Sequence, residues 1–469
     1  MQSNSNHQSR PPIVVILGHV DHGKTTLLDF IRKTSVQKHE AGGITQNIGA
    51  SQVFSADGNK ITFIDTPGHA AFSNMRLRGA NIADIAVLIV AANDGVKPQT
   101  KEALEYILKS NIPYIVAVTK IDLHQSSIEK AKGELQKEGV LFEGLGGNVP
   151  ILGVSGKDGT GVKELLETIS LLAEMNEISA DPNANLDASV IEVQKGKAGP
   201  LCSLVVKNGT LSVADNLVSE TVEAKARGLF DHTGKQVKSV GPGDPVRVLG
   251  FSELPQVGSR VWRKDEGNLE LQKPAVTKIT QGEDLEGNLA VLIKSGSTGS
   301  LEAILKNLPK GVFVLSSGIG EVTETDVFLA KPAGAFIYAF EVKVPGNVSK
   351  LADMEGVKIE SFSIIYKLFE RIGEILQMGV VEIAGTAEII GEFPFDGKRI
   401  AGSKIKKGII KKGDEIIVKR GETEVGKVKI NSIRKGKQIV DLVREGEECG
   451  ILFYPQLDFK LSDMLISLR

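Results

Sequence analysis

The sequence predicts a multidomain protein of mixed α/β and β class, on the basis of three observations. First, its 469 residues would fill roughly three or four domains of ordinary size. Second, apolar strand-like runs alternate with helical patterns over residues 11–175, which is typical of a doubly wound sheet. Third, residues 184–264 and 380–469 consist of short β-like runs separated by turns, which favours two β-barrels.

Composition excludes several classes of protein. With 41% hydrophobic and 24% charged residues the chain is globular rather than disordered, and no apolar run approaches the roughly 20 residues that cross a bilayer. Residues 1–10 form a polar tail without the pattern of a secretion or import signal, and the widely separated Cys202 and Cys449 suit a reducing compartment. We therefore expect a cytoplasmic protein with no membrane partner.

A glycine-rich loop follows the first predicted strand. The apolar run at residues 13–17 leads into the pattern G-x-x-x-x-G-K-T between Gly18 and Thr25, and a helical pattern follows. Strand, glycine loop and helix form a phosphate cradle, in which backbone N–H groups converge on the β-phosphate, the lysine bridges the β- and γ-phosphates, and the threonine holds Mg²⁺. This predicts nucleotide contacts from Asp21, His22, Gly23, Lys24, Thr25 and Thr26.

A second polar cluster follows the strand-like run at residues 61–64, at the kind of strand end where open α/β sheets bind ligands. Asp65 is predicted to hold Mg²⁺, and the Gly68 amide lies where it could reach a γ-phosphate. Thr45 occupies a loop before this strand. It could complete the Mg²⁺ shell when a γ-phosphate is present, or belong to an ordinary surface loop.

A third cluster indicates which base is bound. Lys120 and Asp122 follow the strand-like run at residues 114–118. The Lys120 stem can stack on a purine, and the Asp122 carboxylate can accept two N–H bonds from guanine. Adenine lacks that pair of donors, so the sequence favours GTP over ATP.

The later domains are predicted from spacing. The six-residue separation of Gly209 and Asp215 recurs between Gly408 and Asp414, which predicts two barrels of one type at 184–264 and 380–469. Residues 275–362 return to strand and helix patterns and predict a three-layer α/β domain. An apolar stripe predicts a connecting helix over residues 363–379, although the same stripe could pack into the core of that α/β domain; its members are Ile365, Leu368, Ile372 and Ile375.

Positive charge is concentrated in the last domain. Residues 398–437 contain 14 Lys or Arg against 4 Asp or Glu, although the whole chain has a net charge of only −2. This local excess predicts a phosphate-binding surface, with a solvated barrel exterior balanced elsewhere as the alternative.

Taken together, these motifs resemble the translational GTPases, and most closely the bacterial-type translation initiation factor two family. Residues 18–25, 41–46, 65–72 and 76–80 carry the resemblance, and Gln46 with residues 70–72 favours the initiation factor over the elongation factors. The resemblance implies GTP or GDP and Mg²⁺ as cofactors, with Asp65 acting on the metal through water and His69 orienting the attacking water. It also implies ribosomal subunits and initiator tRNA as partners of a monomer.

The resemblance implies further site residues. In the nucleotide site these are Thr119, where the family usually has Asn, and Ser155, Gly156 and Lys157, where it generally has Ala at the middle position. In the last barrel it implies a formylmethionine and CCA-end site, with Cys449 lining an apolar pocket that would otherwise simply be core. The implied tRNA-binding residues are Arg434, Lys435, Glu448, Cys449 and Gly450, and Gly436 replaces the usual aromatic.

Two other functions fit parts of the sequence. A tRNA-carrying elongation factor, including the selenocysteinyl type, would share the first domain, but the α/β third domain argues against it. A ribosome-independent GTP-binding regulator would use the basic barrel for another polyanion. We expect the initiation function: stabilising initiator formylmethionyl-tRNA on the small subunit and promoting subunit joining, with GTP hydrolysis timing release.

Overall fold

The computed structural model describes residues 7–34, 45–55, 57–124, 126–196, 198–220, 222–266, 289–378, 383–395, 398–421, 423–436 and 438–468. The chain divides into two compact units, with the boundary between Phe369 and Glu370. Within the described ranges, none of the helices combines the length and apolar content that a membrane crossing requires.

The first unit opens with a sheet in the order β3-β4-β2-β5-β6-β7, parallel except where β3 pairs antiparallel with β4. Strands β2 and β5 are buried along their whole length, which explains their unbroken apolar runs. The elements are β1 (Gln8–Ser9), β2 (Ile13–Gly18), α1 (Lys24–Arg32), β3 (Gly49–Phe54), β4 (Lys60–Asp65), α2 (Ser73–Ile82), β5 (Ile85–Ala91), α3 (Pro98–Ser110), β6 (Tyr114–Thr119), α4 (Ile128–Lys137), β7 (Ile151–Gly153), α5 (Val162–Met175) and β8 (Ser179–Ala180).

An antiparallel barrel follows. Its path is β12-β17-β9-β10-β16-β13, and the pairing of β12 with β13 closes it. The strands are β9 (Asp187–Gly196), β10 (Gly199–Asn208), β11 (Leu211–Ser212), β12 (Asn216–Ser219), β13 (Val222–Phe230), β14 (Gln236–Val237), β15 (Ser239–Val240), β16 (Pro245–Phe251) and β17 (Arg260–Arg263). The inward side chains form one apolar core that includes Cys202.

An α/β domain comes next, with a parallel sheet in the order β19-β18-β20-β21. Its elements are β18 (Leu289–Ser295), α6 (Thr298–Lys306), β19 (Val312–Ile319), α7 (Glu324–Ala330), β20 (Phe336–Phe340), α8 (Gly346–Glu355) and β21 (Ile359–Phe362). Helix α9 (Ile365–Met378) then begins in the first unit and ends in the second. All four residues of its predicted apolar stripe are buried.

The second unit holds another closed antiparallel barrel, along the path β22-β29-β24-β25-β28-β23 with β22 paired to β23. Its strands are β22 (Ile383–Phe395), β23 (Lys398–Lys411), β24 (Glu415–Arg420), β25 (Thr423–Lys435), β26 (Gln438–Val440), β27 (Leu442–Arg444), β28 (Glu448–Tyr454) and β29 (Met464–Leu468).

The repeated Gly and Asp spacing has the same geometry in both barrels. Gly209 and Gly408 have φ of 71° and 77°, and a Cβ at either would meet backbone at 2.7 and 2.4 Å. Asp215 and Asp414 each accept a backbone N–H from three residues earlier, at 2.9 and 2.8 Å. Together, the parallel sheets and the two closed barrels confirm the mixed α/β and β class predicted from sequence.

Candidate nucleotide site and basic barrel

The phosphate-cradle motif forms the turn between β2 and α1. Gly23 precedes the helix in the left-handed region with φ 84°, and Asp21 also has a positive φ of 60°. Gly18 lies so close to β5 that a Cβ would meet the Ile89 carbonyl oxygen at 2.5 Å. Gly18 is required by this close approach, because a side chain would push the loop off the sheet, and Gly23 is favoured by its left-handed backbone conformation.

Lys24 points back into this turn. Its Nζ donates to the carbonyl oxygens of Gly18 and His19, at 3.0 and 2.6 Å. Burial lowers the pKa of the ammonium to about 8, with Asp65 acting in the opposite direction. Gly68 packs on this ammonium group so closely that a Cβ at residue 68 would lie 2.2 Å from Lys24 Nζ. The structure thus brings together the two residues predicted to contact a γ-phosphate.

The predicted metal ligands supply oxygen atoms. The hydroxyls of Thr25 and Thr45 are 2.8 Å apart. Asp65 is buried, and its Oδ1 has no hydrogen-bond partner within the described part of the chain, while Arg32 Nη1 is 4.0 Å from Oδ2. Burial raises the pKa of Asp65, and Arg32 and Lys24 oppose this. Hydroxyls and an unsatisfied carboxylate oxygen fit a hard cation such as Mg²⁺.

His69 lies in the turn between β4 and α2. Its ring packs on the Tyr366 ring, with centroids 4.0 Å apart at 54°. Burial, and secondarily the charge of Arg76, lowers the pKa of His69 to about 4, so the imidazole is neutral near pH 7. Arg76 is fully buried; its Nη1 donates to the carbonyls of Pro67 and His69, and its Nη2 lies 2.7 Å from Glu102.

The loops predicted to read the base are joined to the loop predicted to cradle phosphate. Thr119 Oγ1 donates to the His22 carbonyl at 2.5 Å, so the threonine itself links the two loops. Ser155 Oγ donates to Asp122 Oδ1 at 3.1 Å and accepts the Lys157 amide at 3.3 Å. These bonds orient the carboxylate predicted to read guanine. Lys120 adopts a positive φ of 59° beside it.

The structure also places three further residues of the predicted nucleotide site. The His22 side chain is fully buried, its Nδ1 accepts the Ala91 amide at 3.2 Å, and burial lowers its pKa to about 4. Gly156 packs on α1: a Cβ would meet Leu27 N at 2.8 Å. Thr26 is the third residue of α1.

In the C-terminal barrel the predicted tRNA-binding residues lie on adjacent strands. Arg434 on β25 is in register with Gly450 on β28. Lys435 pairs with Glu447 at 2.8 Å, and Glu448 with Lys404 at 3.3 Å. Cys449 belongs to the barrel core, and burial raises its pKa to about 11.

Sequence reasoning missed two residues at the first site. Tyr366 lies far along the chain from His69, and no local pattern connects them. Arg76 falls in a stretch that resembles the family, yet its burial against Pro67, His69 and Glu102 follows only from the packing of α2. A charged residue on a helix is ordinarily expected at the surface.

Comparisons with known proteins cover most of the chain. The family model described as Elongation factor Tu GTP binding domain matches residues 9–175, and Elongation factor G domain 2 matches 185–263. The model described as Translation-initiation factor 2 matches residues 266–373.

Two similar proteins agree with these matches. Translation initiation factor IF-2 of Caldanaerobacter subterraneus subsp. tengcongensis is 40% identical, over 97% of this chain and 69% of that protein. Its counterpart in Aquifex aeolicus is 38% identical, over 98% of this chain and 61% of that protein. The structure of GDP-bound aIF5B from Aeropyrum pernix is 28% identical with a TM-score of 0.47, covering 98% of this chain and 92% of that one. The chain thus spans 61–69% of the length of the two IF-2 relatives. It belongs to the translation initiation factor IF-2 family.

Proposed function

We propose that this protein is a cytoplasmic translation initiation GTPase. It binds GTP with Mg²⁺, stabilises initiator formylmethionyl-tRNA on the small ribosomal subunit, promotes subunit joining and hydrolyses GTP to time its release. The observation that carries the proposal is the meeting of three loops at strand ends: Lys24 under Gly68, Thr119 bonded to the His22 carbonyl, and Ser155 bonded to Asp122. Membership of the IF-2 family supports the same function.

In this proposal Lys24 exchanges the carbonyls of Gly18 and His19 for phosphate oxygens, which are stronger, charged acceptors. The hydroxyls of Thr25 and Thr45 and, through water, the carboxylate of Asp65 would hold Mg²⁺. The metal neutralises charge on the phosphates when bound. The Gly68 amide then donates to the γ-phosphate.

His69 orients the attacking water. Since its pKa is lowered to about 4, the ring is neutral and has one nitrogen able to accept and one able to donate a hydrogen bond. Positioning of this kind, rather than strong base chemistry, is what phosphoryl transfer requires. The ring packs against Tyr366 in this structure, so it has to turn before it can act.

The initiator tRNA is assigned to the C-terminal barrel. Arg434 and Lys435 lie at the end of β25, and Gly450 is in register with Arg434 on the neighbouring strand β28. The excess of Lys and Arg over Asp and Glu across residues 398–437 suits a phosphate backbone. The protein is proposed to act as a monomer.

The test is GTP turnover by the purified protein, alone and with bacterial ribosomes, with ATP as the control substrate. Ribosome stimulation confined to GTP is expected. His69→Ala should keep nucleotide affinity and lose roughly a hundredfold or more of the stimulated turnover. The matched control His124→Ala, at an exposed position, should behave as wild type. Turnover indifferent to ribosomes would instead favour a ribosome-independent regulator, and a fully active His69→Ala would remove the role given to His69.

A further inference from the structure

The residues around the start of α9 contact the predicted Mg²⁺-binding loop. Gln46 is buried, its Nε2 donates to the Ser363 carbonyl at 2.7 Å, and its Oε1 accepts the Ile365 amide at 3.1 Å. Asn47 donates to Glu341 at 3.1 Å. We call residues 363–366 the α9 start segment. The Gln46 side chain thereby bonds the backbone of two of the four residues in this segment.

The same segment packs on His69. The Tyr366 ring lies against the imidazole, with centroids 4.0 Å apart. Tyr366 Oη and His69 Nδ1 are both buried, and neither has a hydrogen-bond partner among the residues described. Burying a polar atom without a partner is unfavourable. The ring contact therefore accompanies an arrangement in which Nδ1 of His69 makes no hydrogen bond to the described residues.

We propose that Tyr366 is a positioning residue that restrains His69, and that Gln46 connects this restraint to the nucleotide site. The inference rests on the proposed GTPase function and adds a residue that limits turnover when no ribosome is present.

The connection runs through adjacent residues. Thr45 bonds Thr25 and directly precedes Gln46, which bonds Ser363 and Ile365. The two bonds of Gln46 therefore hold the α9 start segment next to Thr45. Tyr366 is next to Ile365, so the ring that covers His69 moves with the bonds that Gln46 makes. The restraint is released when this segment shifts.

The experiment compares Tyr366→Ala, Tyr366→Phe and Gln46→Ala in the full chain. Because an aromatic contact corresponds to a population shift of roughly twofold to tenfold, Tyr366→Ala should raise ribosome-independent kcat by about that factor with KM unchanged. Gln46→Ala should change kcat in the same direction. Tyr366→Phe keeps the ring and should match wild type. Lys367→Ala, at the exposed neighbouring position, is the matched control.

A second readout does not depend on turnover. Proton NMR of the His69 ring should show its pKa moving from about 4 toward the ordinary 6.5 in Tyr366→Ala, because the burial that lowers it is relieved. Tyr366→Phe should leave the pKa low. This arm still tests the restraint if the wild-type protein proves not to be a ribosome-stimulated GTPase.

Three outcomes would overturn the inference. One is a Tyr366→Ala protein with unchanged kcat and an unchanged His69 pKa. Another is a Tyr366→Ala protein whose kcat falls while nucleotide affinity is kept, which would mean that Tyr366 holds His69 in its productive position. The third applies if Tyr366→Ala fails to fold: Gln46→Ala then carries both readouts, and wild-type values for each would dismiss the connection.

Discussion

At the scale of single residues, Gly156 shows how a departure from the family pattern is fitted to this chain. The resemblance to the family implies Ala at this position, yet here α1 passes so close that a Cβ would lie 2.8 Å from Leu27 N and 2.9 Å from Leu27 Cα. Backbone atoms cannot move aside as a flexible side chain can. The adjacent Ser155 orients Asp122, so a displacement here is transmitted to the carboxylate proposed to read guanine.

We therefore expect Gly156→Ala to destabilise the protein by about 1–3 kcal/mol, the usual cost of overpacking, and to weaken GDP binding. Thermal unfolding and titration with a fluorescent GDP analogue measure the two effects. Gly133→Ala is the control: a Cβ added at this position in α4 would have no atom within 4 Å, so the change should be neutral or stabilising. Equal behaviour of the two variants would contradict the close approach.

Much of the nucleotide site could be predicted from sequence because its residues follow strands at fixed spacings. The structure brings Gly68 to Lys24 and Thr45 to Thr25, as expected for one phosphate and metal site. The roles of these residues stay predictions. Tyr366 could not be found this way, because its contact with His69 depends on tertiary packing rather than on local pattern.

At the scale of elements, the turn from β4 to α2 is held by one buried cation. Arg76 binds the carbonyls of Pro67 and His69 and pairs with Glu102, and the sequence between Asp65 and Arg76 contains no Lys, Arg, Asp or Glu. The guanidinium fork reaches both sides of the turn at once, which a lysine cannot do. The position of His69 therefore depends on α2.

Arg76→Ala should cost about 3–5 kcal/mol, because it leaves the partly buried Glu102 and two carbonyls without their cation. Urea unfolding measures this loss. Lys101→Ala breaks the exposed pair with Glu138 and should cost no more than about 1 kcal/mol. If the two variants unfold at the same urea concentration, Arg76 does not hold the turn. The stability of Arg76→Lys is expected to lie between those of the other two variants.

Elements were predicted correctly where the sequence pattern follows directly from burial. Buried parallel strands such as β2 and β5 give continuous apolar runs, and the Gly and Asp spacing predicted the same turn in both barrels. Strand order and register could not be predicted from sequence. For example, β12 pairs with both β13 and β17, and only the closed barrel determines those partners.

At the scale of the whole molecule, the first unit contains a buried carboxylate that joins the barrel to the α/β domain. Glu192 on β9 accepts the Gly299 amide and the Ser297 hydroxyl at 3.2 Å each, at the start of α6. A carboxylate at a helix N-terminus is favourable. Burial nonetheless raises its pKa, with these hydrogen bonds acting in the opposite direction.

Glu192→Ala should lower the free energy of unfolding by about 1–3 kcal/mol, because two donors at the start of α6 lose their acceptor. Glu192→Gln keeps an acceptor and provides the pH test. Since the folded-state pKa is raised, the wild-type contribution is present below pH 4.5, the ordinary value, and is lost as pH rises through the folded-state pKa. Calorimetry should therefore show that the stability of Glu192→Gln relative to wild type is greater at pH 7 than at pH 4.5. The opposite trend would contradict the raised pKa.

The position of Lys24 makes nucleotide binding a proton-coupled event. Its ammonium rests on two carbonyls with a pKa of about 8, so part of the population has lost its proton in mildly alkaline solution. Phosphate oxygens favour the charged form and raise that pKa. Under the proposed function, nucleotide binding near pH 8 is accompanied by uptake of a fraction of a proton from the buffer by Lys24. Affinity is consequently highest below pH 8 and declines as the medium becomes more alkaline, which makes occupancy of the site a function of proton concentration as well as of GTP.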